Sequence, residues 1–225
     1  MGIYSNAIID KSTILGKNVK IGNNVVIYPN VVIHDNVEIL ENTIIGRLPK
    51  ITNAVSRRFI PEYKKVVIGE GSVISNNVTI YTDTTIGSNT LIGENASIRE
   101  SCQVGDDCII SRLVTMNYNS KVGNRTKVMD GTHITGNMEI GDDCFISVMV
   151  CSTNDNQMGK SGYDDKKIQG PKIENNVLIG AGANLLPAIR IGKHSIVGAG
   201  SVVTKDVPEY KLVMGVPARI IRDLN

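Results

Sequence analysis

Residues 68–98 read IGEGSV ISNNVT IYTDTT IGSNTL IGENAS I, with isoleucine at positions 68, 74, 80, 86, 92 and 98. The phase continues outward. Val104, Ile110, Met116, Val122, Val128, Ile134, Ile140 and Ile146 follow without a slip. Ile9, Leu15, Ile21, Ile27, Ile33, Ile39 and Ile45 precede the stretch, and Ile173, Ile179, Leu185, Ile191, Val197 and Val203 resume the phase later. A period held this long is an architectural repeat. In units such as Ile21-Gly-Asn-Asn-Val-Val and Ile140-Gly-Asp-Asp-Cys-Phe, a short strand around the aliphatic residue leads into a Gly/Asn/Asp corner tolerant of positive φ. Three strands and three corners close a triangular coil, and coils stack at the strand spacing of about 4.8 Å. The repeat residue and the residue two before it point inward.

The expected fold is therefore all-β: a parallel β-helix in one domain. Coils are expected over about 9–45, 68–151 and 173–208, with excursion loops at 46–67 and 152–172 and a C-terminal tail over 209–225. Composition agrees. There is no Trp, aromatics make up 4% and Gly numbers 22, so the interior is stacked from Val, Ile and small residues. A formal charge of +2 gives no electrostatic footprint for nucleic acid or a membrane surface. The first ten residues lack a basic region followed by an apolar run, and no stretch approaches the roughly 18 apolar residues of a membrane span. A soluble cytoplasmic protein is expected.

Outward residues 18 apart share a face. Val73, Leu91, Ile109, Lys127 and Phe145 make a mostly apolar stripe, and Thr85, Gln103, Lys121 and Glu139 a solvated one. Thr79, Ser97, Thr115, His133 and Cys151 make a small-polar stripe. An isolated prism gains nothing from the apolar stripe, so other subunits should cover it, and a homotrimer satisfies this by symmetry. The first loop carries Arg47, Lys50, Arg57, Arg58, Lys64 and Lys65 against Glu62, which suits either a phosphorylated ligand or plain solvation. Cys102, Cys108 and Cys144 fall at inward positions and Cys151 outward, with no spacing suited to zinc or a disulfide.

The C-terminal stretch carries Ile179-Gly-Ala-Gly, Leu186-Pro, Ile191-Gly, Val197-Gly-Ala-Gly-Ser-Val-Val-Thr-Lys-Asp-Val-Pro and Gly215-Val-Pro-Ala-Arg219. With the repeat it resembles the hexapeptide-repeat acyltransferase superfamily over nearly the whole chain. The resemblance implies a left-handed coil and acetyl-CoA or another acyl-CoA as co-substrate, with no metal. By matching positions, Ala181 and Ala199 would meet the pantetheine arm, Thr204 and Lys205 would lie farther along it, and Arg219 would reach the adenine-end phosphates. The segment from Lys127 to Met138, with Ser152-Thr-Asn-Asp, looks most like enzymes that N-acylate nucleotide-linked amino sugars, with dTDP favoured over UDP. It departs from the sugar O-acetyltransferases, which carry a His in the loop before the last coils; an O-acetyltransferase is the alternative.

Transfer to an amine needs a proton acceptor and donors for the developing oxyanion. Asp130 matches the position that contacts the sugar amine, although Asp-Gly is also a turn dipeptide and Arg112, one coil below, could simply pair with it. His133 lies on the small-polar stripe with a pKa range suited to a base. These two are the catalytic candidates. Asn117, Asn119, Asn154 and Asp155 are candidates for holding the sugar or base, though Asn also fills corners. His34 and His194 read as corner residues, too far from His133 for the metal site of a γ-type carbonic anhydrase.

Overall fold

The computed structural model describes residues 2–3, 6–55, 57–164 and 167–224. Its strands, mostly of two residues, stack into a left-handed parallel β-helix with three flat faces, a twelve-, a ten- and a nine-stranded sheet. Partners lie 18 residues apart, as in Val73↔Leu91, Thr79↔Ser97 and Thr85↔Gln103. Along the central coils the repeat residue is the inward one: Ile68, Ile74, Ile80, Ile86, Ile92 and Ile98 are all fully buried. Each such side chain contributes roughly 2 kcal/mol of apolar burial.

The residue two before the repeat position has a second task. Where it carries a hydroxyl, that group donates to a carbonyl of the next coil, as from Ser72 to Gly87 (2.7 Å), Thr90 to Gly105 (2.9 Å) and Thr126 to Gly141 (2.8 Å). The thiols of Cys102 and Cys108 make the same contact with Asn117 and Gly123, both at 3.0 Å. These cysteines are weak donors standing where Ser and Thr stand elsewhere. Burial pushes the Cys102 thiol up to about 12 and raises Cys108 and Cys144, which makes them inert.

Corners bend through the left-handed region, mostly on Asn or Asp, such as Asn77, Asn95 and Asp143. Leu113 (φ 59°) and Met149 (φ 57°) adopt it without that chemistry, and both are exposed. They flank Gly131 on one corner.

The loops fall where the period breaks, between the strands Ile44–Arg47 and Val66–Ile68 and between Cys151–Ser152 and Lys172–Ile173. Part of the first loop's basic charge is paired with carboxylates of later coils or held by the loop's own carbonyls. Arg57 and Arg99 both bind the buried Glu100, Lys64 lies 3.6 Å from Asp83, and Arg58 donates to the carbonyls of Thr52 and Asn53.

The tail is less separate than expected. Val207 and Val213 are buried, and Lys211–Gly215 joins the twelve-stranded sheet beside Ile196–Val197 before turning back as the antiparallel strand Ala218–Asp223. The aliphatic period resumes there after a four-residue step from Val203, so a search in fixed phase stops one rung early.

Candidate active site

One corner joins the twelve-stranded sheet to the ten-stranded one. Its outer positions are stacked by backbone bonds from coil to coil: Gly131 N–H donates to Arg112 C=O, Met149 to Asp130, Gly182 to Val148 and Gly200 to Ala181. Arg112, Asp130, Val148, Ala181 and Ala199 thus form one column. Asp130 lies two coils, about 10 Å, from Ala181 and three, about 14 Å, from Ala199. Met214 covers Gly198 and pairs with Arg219, so Arg219 continues the line at the end of the sheet. Residues taken from separate motifs fall on one axial track.

The Gly-Ala-Gly motifs follow from this corner. A Cβ on Gly180 would run into the backbone of Ala199, and one on Gly198 into Met214. Gly182 and Gly200 both have φ +66°, where a side chain is strained. The alanine between is the one position of each motif at which neither close packing nor a left-handed φ is at issue.

Asp130 is held from below. Ser111 Oγ donates to Oδ1 and the Arg112 guanidinium binds Oδ2, which keeps the carboxyl below its ordinary range. The pairing with Arg112 foreseen from the register is present, and Asp130 is an anion with fixed orientation. His133 lies on the ten-stranded face beyond the same corner, between Thr115 and Cys151 on the adjoining strands. Its Nδ1 is 2.7 Å from Thr115 Oγ1, and burial lowers its pKa, so the imidazole is neutral at pH 7.

The far edge of the ten-stranded face carries the remaining candidates. Asn119 sits in the corner at φ 56° and passes its amide to Asn137 (3.1 Å), a ladder contact that holds coils together. Asn117, next to the strand Thr115–Met116, is half-buried. Asn154 binds the Gly136 carbonyl (3.1 Å), and Asp155 accepts the amides of Gln157 and Gly159 within its own loop (both 2.7 Å). Thr204 and Lys205 turn the same edge after Val202–Val203, across the face from Ala199. Both loops meet at this edge on Tyr118: Arg57 stacks on its ring at 4.0 Å, Tyr163 packs edge-on at 6.0 Å, and Gly136 lies beneath it.

A concavity of about 1050 Å³ lies elsewhere, along the nine-stranded face. Its Lys121, Glu139 and Lys172 form a mutually paired ladder, and no candidate residue lines it. Among the described residues no group of three or more His, Cys, Asp or Glu is placed to hold a metal. His34 and His194 occupy the opposite corner, with His194 stacked on Tyr210 at 4.8 Å. No helix is long and apolar enough to cross a membrane among the described residues.

The family described as "Bacterial transferase hexapeptide (six repeats)" matches residues 12–47, 83–117 and 170–205, which are coils of this prism. The chain belongs to the hexapeptide-repeat acyltransferase superfamily. It is 51% identical over 53 residues to galactoside O-acetyltransferase of Lactococcus lactis, covering 24% of this chain and 26% of that protein. It is 53% identical over 53 residues to 2,3,4,5-tetrahydropyridine-2,6-dicarboxylate N-acetyltransferase of Clostridium perfringens, covering 24% and 22%. The chain thus matches about a quarter of the length of these relatives, and both oxygen and nitrogen acceptors are represented. Arabidopsis UDP-N-acetylglucosamine acyltransferase shares the fold, with a TM-score of 0.69 at 17% identity over 99% of this chain and 74% of that one.

Ser111, Thr115 and Tyr118 enter the site although sequence reading gave them no role there. Ser111 and Thr115 lie one coil below Asp130 and His133, so the 18-residue register was the available signal. Tyr118 had none, because its partners come from loops outside the period.

Proposed function

We propose that this protein is an acyl-CoA-dependent N-acyltransferase, using acetyl-CoA to acetylate the amine of a nucleotide-linked amino-deoxy sugar. The observation that carries the reading is the axial track: an anchored carboxylate, Asp130, and a neutral imidazole, His133, stand beside the small-residue column of Ala181 and Ala199. Acyl-CoA lies along that column, its pantetheine amides meeting exposed backbone at Ala181 and Ala199 and its phosphates Arg219, whereas Thr204 and Lys205, across the face, stand off this line.

The two candidates divide the work. Asp130, anionic and fixed by Ser111 and Arg112, orients the amine by accepting its hydrogen bond. It is a poor proton acceptor because its pKa is low. His133, neutral through burial, takes the proton as nitrogen attacks the thioester carbonyl. The C–N bond forms, the tetrahedral intermediate expels the CoA sulfur, and His133 returns the proton to the thiolate. Asn117 would meet the sugar or base with its side chain, and Asn119, Asn154 and Asp155 would do so beyond the hydrogen bonds they already make.

The open ten-stranded face leaves the track uncovered in one chain, and the adjoining edge exposes Leu113, Val148 and Met149 beside Leu91, Phe145 and Leu178. A homotrimer that buries this edge completes the groove, in keeping with the strain accepted at Leu113 and Met149. The four free thiols suit a reducing cytoplasm.

The second reading, O-acetyl transfer, is favoured by the L. lactis relative. Neither the site nor the comparisons support dTDP over UDP. The deciding experiment supplies acetyl-CoA with dTDP- and UDP-amino sugars, their hydroxy counterparts, and serine, and follows thiol release. Release confined to hydroxyl acceptors or to the amino acid would overturn the amino-sugar reading.

A further inference from the structure

Thr115 and His133 are direct neighbours on adjacent strands of the ten-stranded face, 18 residues apart, with Oγ1 and Nδ1 separated by 2.7 Å. We infer that Thr115 is a positioning residue that fixes which nitrogen of His133 carries the proton, an inference that rests on reading His133 as the base.

An imidazole base must present a bare nitrogen to the amine, and the other nitrogen must then hold the hydrogen. The Thr115 hydroxyl can accept from Nδ1–H because, being exposed, it can send its own hydrogen to solvent. Nε2 then carries the lone pair that receives the proton. Once Nε2 is protonated, the Nδ1–H bond to Thr115 is unchanged, so neither the ring nor its partner reorganises during transfer.

The groups around the ring do not supply this service. The thiol of Cys151 lies on the strand above. Asp130, at the corner before, is bound by Ser111 and Arg112. Tyr118, below the corner after, is covered by Arg57. Valine at 115 would keep the β-branched shape and remove the acceptor. Serine would keep the acceptor and lose a methyl.

The direct test is the long-range proton–nitrogen NMR spectrum of protein labelled with ¹⁵N in its histidine rings, the His133 signals being assigned by their loss in His133→Asn. The wild type and Thr115→Ser should show Nδ1 protonated and Nε2 bare at neutral pH. Thr115→Val should show the other tautomer or a mixture, with a lower ring pKa. In transfer from acetyl-CoA to the amino sugar that serves as acceptor, Thr115→Val should lose about tenfold in kcat with the KM for acetyl-CoA unchanged, and Thr115→Ser should recover most of it. Nε2–H in the wild type, or a wild-type tautomer and pKa in Thr115→Val, would overturn the inference. If no amino sugar is acetylated, the function proposed above fails while the ring spectra still decide Thr115.

Discussion

Ala181 stands two coils from Asp130 on the same corner, joined through Val148 by the bonds Met149 N–H to Asp130 C=O and Gly182 N–H to Val148 C=O. A bulky side chain at 181 would fill the track and leave Asp130 and His133 untouched. Ala181→Trp should raise the KM for acetyl-CoA at least about tenfold, the cost of losing roughly 1.4 kcal/mol of binding. Titration calorimetry with CoA should show the same loss, and unchanged affinity would remove the corner from the cofactor path.

The glycine before it is fixed by packing. The backbone of Ala199 lies where a Cβ on Gly180 would go, so Gly180→Ala must push two coils apart. Overpacking of this kind costs about 1–3 kcal/mol. Denaturant unfolding should show that loss, whereas Ala181→Ser, next in sequence, should be near neutral.

The proposed assembly rests on the apolar stripe. Phe145 and Leu178 are paired neighbours on it, 39% and 43% exposed in the single chain. A charge there would be desolvated by any partner, so Phe145→Asp should yield monomers in sedimentation velocity. In the proposed trimer assembly completes the groove, so transfer should fall with it. A Phe145→Asp trimer would place the interface elsewhere.

Acid should weaken the fold in two separate windows. Burial lowers the His133 pKa from 6.5, so protonating it opposes folding, and stability falls as pH drops below about 6.5 toward the depressed native value. Hydrogen bonds from Ser111 and Arg112 depress Asp130, and Arg125 depresses Asp143, from an ordinary 3.8. At Glu174 burial acts upward but is outweighed by the Arg190 side chain and the Lys193 amide. Carboxylates with depressed native pKa stabilise the fold above their unfolded values and lose that contribution as pH falls through the native ones. Melting temperature against pH should show both steps, and His133→Asn should abolish only the upper one.

Most of the fold was legible because period six is unambiguous: each isoleucine from Ile68 to Ile98 is a buried rung. The last rung was not, since Val207 and Val213 follow a shorter step. Within the site, Arg112 under Asp130 was readable from the register, and so in principle were Ser111 and Thr115. The convergence of Arg57 and Tyr163 on Tyr118 was not. It brings together residues from three parts of the chain by stacking, and stacking leaves no periodic trace. The ion pairs of the first loop were hidden for a related reason. Its positive charge is countable, but the carboxylates that pair with it, Glu100 and Asp83, belong to later coils.

The central claim, an acetyl group passed from CoA to a sugar amine beside Asp130 and His133, is tested most directly by identifying the acylated atom. A nucleotide-linked amino sugar incubated with acetyl-CoA and the intact protein should give one equivalent of free CoA thiol. The product's NMR spectrum should place the new acetyl group on nitrogen, and both signals should be lost in the Asp130→Asn, His133→Asn double variant while CoA still binds. An acetyl group on a sugar hydroxyl, or undiminished N-acetylation by the double variant, would contradict the account.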